Sequence, residues 1–169
     1  MLTLDAVNAM APTDFVAVFG DIAEHSPFVA ETAAGARPFA DRAALVEAFQ
    51  RVVADLPEDR LVSLLQAHPD LAGRAARAGL LARDSAGEQS GAGLDSLSDE
   101  EFARFTVLNE AYRARFDFPF ILAVRGADKH RILDAFATRV GGSRREELMT
   151  ATAQVLRIMR FRLEDRVGI

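Results

Sequence analysis

The sequence predicts an all-α fold, a compact globular bundle of six to eight helices forming a single domain over residues 1–169. Three observations predict it. Apolar residues return at three- and four-residue spacing along almost the whole chain, helix-capping residues stand ahead of several of those stripes, and a chain of 169 residues that is 50% apolar can bury a sizeable core.

Taken in order, Thr13 and Asp14 are placed to cap a helix with an inner face of Phe15, Val18, Phe19 and Ile22. A longer helix begins near Asp41 and carries Leu45, Ala48, Phe49, Val52 and Leu56. Pro57 opens another, with Leu61, Leu64 and Leu65 facing inward, and the step from His68 to Pro69 stops it. A short helix is expected from Gly73 to about Leu81. Ser98 and Glu101 form a capping box ahead of Phe102, Phe105, Leu108, Tyr112 and Phe116, with the aromatic residues Phe102, Phe105 and Phe116 expected in the core. Asp128 caps a helix bearing Ile132, Leu133, Phe136 and Val140, which Gly141 and Gly142 end. Ser143 and Glu146 repeat the capping box before Leu148, Ala151, Val155, Ile158 and Met159.

Two stretches break the pattern. Residues 83–97, "RDSAGEQSGAGLDSL", hold three glycines and few large apolar residues, and read as a loop with at most a short helix inside it. Residues 116–126, "FDFPFILAVRG", form an apolar run behind an X-Pro step, so the chain is extended there at least briefly.

Charge and composition exclude several function classes. A net charge of −5 offers no basic face for nucleic acid. The absence of cysteine removes disulfides, thiolate nucleophiles and Cys-ligated zinc together. No run approaches the roughly 20 apolar residues that cross a bilayer, the opening "MLTLDAVNAMAPTD" lacks the basic region of a signal peptide, and "EDRVGI" is not a peroxisomal address. The expectation is a cytoplasmic protein with no nucleic-acid or membrane partner.

His68 is the first candidate for chemistry. An imidazole at a helix end can act as a general acid, or simply complement the helix dipole. Asp70 reads as a turn residue behind the proline. No metal site is expected, because His25, His68 and His130 show none of the spacings of a helix-borne metal pair. Ser85 and Glu88 fit a capping box, while "SAGEQ" equally offers a hydroxyl, a carboxylate and an amide to a small polar ligand. Arg125 is either a contact for an anion or a solvated arginine. Arg157, Arg160, Arg162 and Arg166 read as the solvated face of the last helix or part of a subunit contact. There is no G-x-S-x-G elbow and no phosphate-binding glycine loop.

Four segments in order, "EHSPFVA" (24–30), "HPDLAG" (68–73), "SAGEQSGAGL" (85–94) and "LNEAYRARFDFPFILAVRG" (108–126), together resemble the OHCU decarboxylases. These enzymes act on 2-oxo-4-hydroxy-4-carboxy-5-ureidoimidazoline in the breakdown of urate. The resemblance implies an all-α homodimer with neither metal nor organic cofactor, which releases CO2 from that ureidoimidazoline and yields (S)-allantoin. It implies that His68 is the catalytic acid and that Pro69 contacts the ligand. Substrate contacts carry over to Ser85, Ala86, Gly87, Glu88 and Gln89, and to Phe120, Ile121, Leu122, Ala123 and Val124, the last five largely through backbone. The Gln89 side chain and those backbone N–H groups are then candidates to hold the developing charge. Glu88 either orients and charges His68 or disfavours the substrate carboxylate in the ground state; otherwise it is only a helix cap. Two positions depart from the family pattern, Phe28 where tryptophan is expected after "SP" and Asp117 where "RFGFPF" is usual. Two competing readings stand beside this one: a lyase or hydrolase acting on a different ureido compound, and a non-catalytic helical binding domain.

Overall fold

The computed structural model describes residues 1–168. Among them the chain is all-α, with ten α-helices and a short 3₁₀ turn over Ala34–Ala36; a lone bridge between Leu2 and Val167 is its β element. Several helices, α1 (Leu4–Ala9), α3 (Phe28–Ala33) and α6 (Arg74–Arg77), are shorter than two turns, too short to show a periodic stripe, which is why the sequence suggests a smaller number. No helix of the described residues is long and apolar enough to cross a membrane.

Two compact units make up the chain, one formed by Met1–Ala67 together with the segment from Val155 onward, the other by His68–Gln154. The first unit holds α1, α2 (Pro12–Phe19), α3, α4 (Arg42–Ala54) and α5 (Glu58–Gln66). The second holds α6, α7 (Arg83–Gly91), α8 (Asp99–Phe116) and α9 (Lys129–Arg139). The last helix, α10 (Arg144–Arg166), begins in the second unit and ends in the first.

In the first unit, Phe15, Phe19 and Phe49 are fully buried around a Phe15–Phe19 contact of 4.7 Å between ring centroids. Each ring withdrawn from water contributes about 1.5–3 kcal/mol. Asp41 caps α4 as expected, its carboxylate accepting from the Ala44 N–H at 2.7 Å. The expected Thr13/Asp14 cap is corrected: α2 starts at Pro12, which needs no donor satisfied and already has a helical φ, so both residues fall inside the first turn. The solvated reading of Arg162 is corrected too. It lies between Met159 and Leu163 on the buried stripe of α10, and its guanidinium donates to the Glu24 carboxylate at 2.9 Å. Burial of that charge is tolerable only because it is paired. Arg157 and Arg160 are exposed, and Arg166 turns back to the Val18 carbonyl at 2.6 Å.

The second unit is organised by rings on α8, α9 and the segment between them. Phe105, Tyr112, Phe116, Phe118, Phe120 and Phe136 are buried together, with Phe120 stacked on Phe136 at 3.9 Å. The Ser98–Glu101 box, the Asp128 cap and the Ser143–Glu146 box all form. Phe102 departs from the core expectation: it is half-buried, covered by the Arg77 guanidinium at 4.4 Å. From Asp117 to Asp128 the chain is irregular and extended as far as a turn at Arg125 and Gly126. Asp117 closes α8 with φ of 66°, the left-handed region that favours glycine. That conformation suits the glycine that the resemblance leads one to expect at this place.

Candidate active site

The site-bearing residues carried by the resemblance all fall in the second unit, on three stretches of chain. The first is the loop that follows α5. That helix ends at Gln66 with Ala67 as its C-cap, and the chain then runs through His68 and Pro69 to a turn over Asp70–Gly73. His68 is buried, with 6% of its surface exposed. The turn is conformationally demanding. Ala72 has φ of 50°, which costs a non-glycine residue about 1–2 kcal/mol. Gly73 packs so tightly on Asp70 that a Cβ there would lie 2.7 Å from the Asp70 Cβ.

Such a turn persists only where its surroundings hold it, and three side chains do so. The Gln89 carboxamide accepts from the Ala72 N–H at 2.9 Å through Oε1 and donates through Nε2 to the Asp70 carbonyl at 3.4 Å. Asn109 Nδ2 donates to the Leu71 carbonyl at 2.9 Å. Arg113 Nε donates to the Asp70 carboxylate at 2.8 Å, which gives the turn residue Asp70 a partner four helical residues beyond Asn109. Since a neutral buried hydrogen bond is worth about 1 kcal/mol net, these bonds together offset the strain of Ala72.

The second stretch, read as a loop with at most a short helix inside it, is helical over its first nine residues. Residues 83–91 form α7, whose N-cap is Ala82 without a side-chain bond. Ser85 is therefore inside the helix, and the proposed Ser85–Glu88 capping box does not form. Ser85 and Gln89, one turn apart, make the buried edge of α7, while Glu88 is half-buried and Ala86 and Gly87 are exposed. Glycines at 87 and 91 weaken the helical signal locally, and the buried Ser85–Gln89 edge supplies what propensity does not.

The third stretch, 120–124, is fixed by anchors of its own. Arg139 donates to the Ile121 carbonyl at 2.8 Å and lies over the Phe120 ring at 4.4 Å. Arg139 is in turn held by Glu147 at 2.9 Å, and the Tyr112 hydroxyl donates to the same Glu147 oxygen. Burial first, then that hydrogen bond, pushes the Tyr112 phenol well above its ordinary value of 10.0. The Ala123 N–H, one of the backbone donors expected to face substrate, donates to Gln154 Oε1 at 3.0 Å.

Gln89 ties α7 directly to the His68 loop, so the first two stretches meet. Pro69 opens onto a cleft of about 360 Å³ that is also lined by Asp70, Gly73, Thr106, Asn109 and Arg113. His25 and His130 are exposed, and no cluster of three metal-ligating side chains occurs among the described residues. Arg125 is exposed at the turn that follows Val124. Asn109 is the residue the sequence reading passed over. The available signal was an amide on the apolar stripe Phe105–Tyr112–Phe116, at a position one turn after Phe105.

A buried histidine on a braced loop, in a chain without cysteine, fits the class of proteins that work by acid–base chemistry on a small molecule. The relatives specify the class further. The family model for OHCU decarboxylase matches residues 8–164, and the chain belongs to that family. It is 42% identical over 165 residues to the 2-oxo-4-hydroxy-4-carboxy-5-ureidoimidazoline decarboxylase of Haloferax volcanii, covering 98% of this chain and 96% of the relative. It is 40% identical to the mouse protein of that name, covering 96% and 91%. The uric acid degradation bifunctional protein PucL of Bacillus subtilis matches at 36% identity, with 98% of this chain spanning 33% of that protein. Among solved structures, an (S)-allantoin synthase superposes with a TM-score of 0.79 at 32% identity, covering 98% of this chain and 54% of the other. The match to an OHCU decarboxylase crystallised in the presence of (S)-allantoin, with a TM-score of 0.70 at 18% identity, bears on the fold.

Proposed function

We propose that the chain decarboxylates 2-oxo-4-hydroxy-4-carboxy-5-ureidoimidazoline to (S)-allantoin and CO2 without a cofactor, with His68 as general acid. The observation that carries this reading is the buried His68 on a loop braced by α7 and α8, in a chain that matches its relatives over nearly its full length. In this reaction the bond between the ring carbon and the carboxylate breaks and its electron pair moves into the ring. A proton then adds to the carbon bearing the ureido group and sets its handedness. His68 supplies that proton from a fixed side, a contribution of about 10²–10⁴-fold for a positioned acid. Pro69, residues 85–89 of α7 and the backbone of 120–124, apart from the Ala123 N–H that Gln154 occupies, contact substrate. Glu88, one residue before Gln89, either orients His68 or acts on the substrate carboxylate.

The family match from 8 to 164 runs through both compact units, which supports a single working domain over the whole chain. The protein is proposed to work in the cytoplasm as a homodimer, on a small-molecule substrate, with no nucleic-acid or membrane partner. Freshly generated substrate followed by circular dichroism tests the activity. Wild-type protein is expected to give a fast, single-handed allantoin signal. A slow, racemic product at the buffer rate would overturn the reading, because the substrate decays to allantoin unaided.

A further inference from the structure

We propose that Asn109 is a positioning residue that acts with Gln89 as one amide clamp on the peptide groups of residues 70–72, and so fixes where the His68 imidazole stands. The inference rests on the decarboxylase reading of His68. Three successive residues of the loop are taken by two side chains from two helices: Gln89 of α7 holds the Asp70 carbonyl and the Ala72 N–H, and Asn109 of α8 holds the Leu71 carbonyl between them. The Gln89 carboxamide already holds backbone at both ends, so it places the loop in addition to the substrate contact read for it from the sequence.

The position of Asn109 makes the case. It sits on the buried stripe of α8 with Phe105, Tyr112 and Phe116, where an apolar side chain would pack without a polar group to satisfy. Only one end of its amide is used: Nδ2 bonds to Leu71, while Oδ1 is buried with no hydrogen-bond partner among the described residues. Burying an amide with a bare oxygen is unfavourable. The return for that cost is the single bond to the loop. The loop needs it, because Ala72 is left-handed and Gly73 has no room to yield toward Asp70.

The test replaces Asn109 by Leu, which keeps the branched skeleton and removes the donor, and by Asp, which keeps the shape and removes the NH₂ group. Two readouts separate positioning from plain stability. Steady-state kinetics is expected to show kcat lower by about 10–100-fold with KM within about threefold, the pattern of a misplaced catalytic group. Histidine-selective NMR is expected to show the His68 imidazole signals moved while those of the exposed His25 and His130 stay in place; with three histidines in the chain, the assignment is direct. Folded variants with unchanged kcat and unchanged His68 signals would overturn the clamp, even with a lower melting temperature. If Asn109→Leu does not fold, Asn109→Asp decides the matter by the same two readouts. Should wild-type protein lack the activity, the decarboxylase reading fails, and the NMR comparison still decides whether Asn109 fixes His68.

Discussion

Gly73→Ala isolates the turn behind His68 from every polar group around it. A methyl at this position would stand 2.7 Å from the Asp70 Cβ and 3.4 Å from the Asp70 carbonyl oxygen. The first of these atoms is no flexible tip but the root of a side chain, so backbone must shift by several tenths of an ångström or more. Overpacking of this kind costs about 1–3 kcal/mol. For a chain of this size that lowers Tm by roughly 2–12 °C, at about 2–4 °C per kcal/mol. The shift also displaces Asp70 from Arg113 and disturbs the loop that carries His68, so kcat falls alongside stability. Gly91→Ala is the control: it lies at the end of α7 with nothing within 4 Å of the added methyl, and the change is expected to hold or raise Tm. Thermal unfolding followed by far-ultraviolet circular dichroism, with kcat on the same samples, reads both variants. Gly73→Ala with unchanged Tm and kcat would refute the close-packed turn.

Three further outcomes follow from the same geometry. Tyr112 is the one tyrosine and there is no tryptophan, so tyrosinate absorbance reports this phenol alone; burial holds it neutral above its ordinary value of 10.0, and a spectrum showing ionisation near pH 10 in folded protein would contradict that. The sign is that of a raised acid: the contribution to stability is complete below pH 10 and is lost as pH rises above it, because the unfolded phenol ionises first. Glu147→Ala strips the half-buried Arg139 of its carboxylate and Tyr112 of its acceptor, and is expected to cost about 3–5 kcal/mol in denaturant unfolding; a loss under 1 kcal/mol would show the pair to be dispensable. Glu88→Gln separates the two roles of Glu88: a displaced pH–rate profile follows if it charges His68, tighter substrate binding with slower turnover if it repels the substrate carboxylate, and neither if it does no more than complete a turn of α7.

The parts of this structure legible in the sequence are those decided within one turn of chain. Asp41, Ser98, Asp128 and Ser143 cap their helices because each reaches a backbone N–H two or three residues away, an interaction that needs no tertiary partner. His68 and the "SAGEQ" residues stand out in the sequence as chemistry-bearing groups on short motifs, and the part they play is what the kinetic experiments test. What sequence could not supply is whatever depends on a distant partner. The helix α7 forms over two glycines because Ser85 and Gln89 are buried along one edge, and Gln89 finds its donor and acceptor 17 and 19 residues away. Arg162 reads as one more surface arginine until Glu24, 138 residues distant, takes its charge. Asn109 looks like a polar interruption of an apolar stripe until Leu71 appears opposite it.

The most direct test of the account is the rate and handedness of allantoin formed from fresh substrate by wild-type protein and by His68→Ala. The account predicts a single-handed product from wild type, and from the variant a rate lower by about 10²–10⁴-fold with handedness fading toward that of the uncatalysed reaction. A His68→Ala protein that still makes (S)-allantoin at the wild-type rate would contradict it and assign the proton to another group.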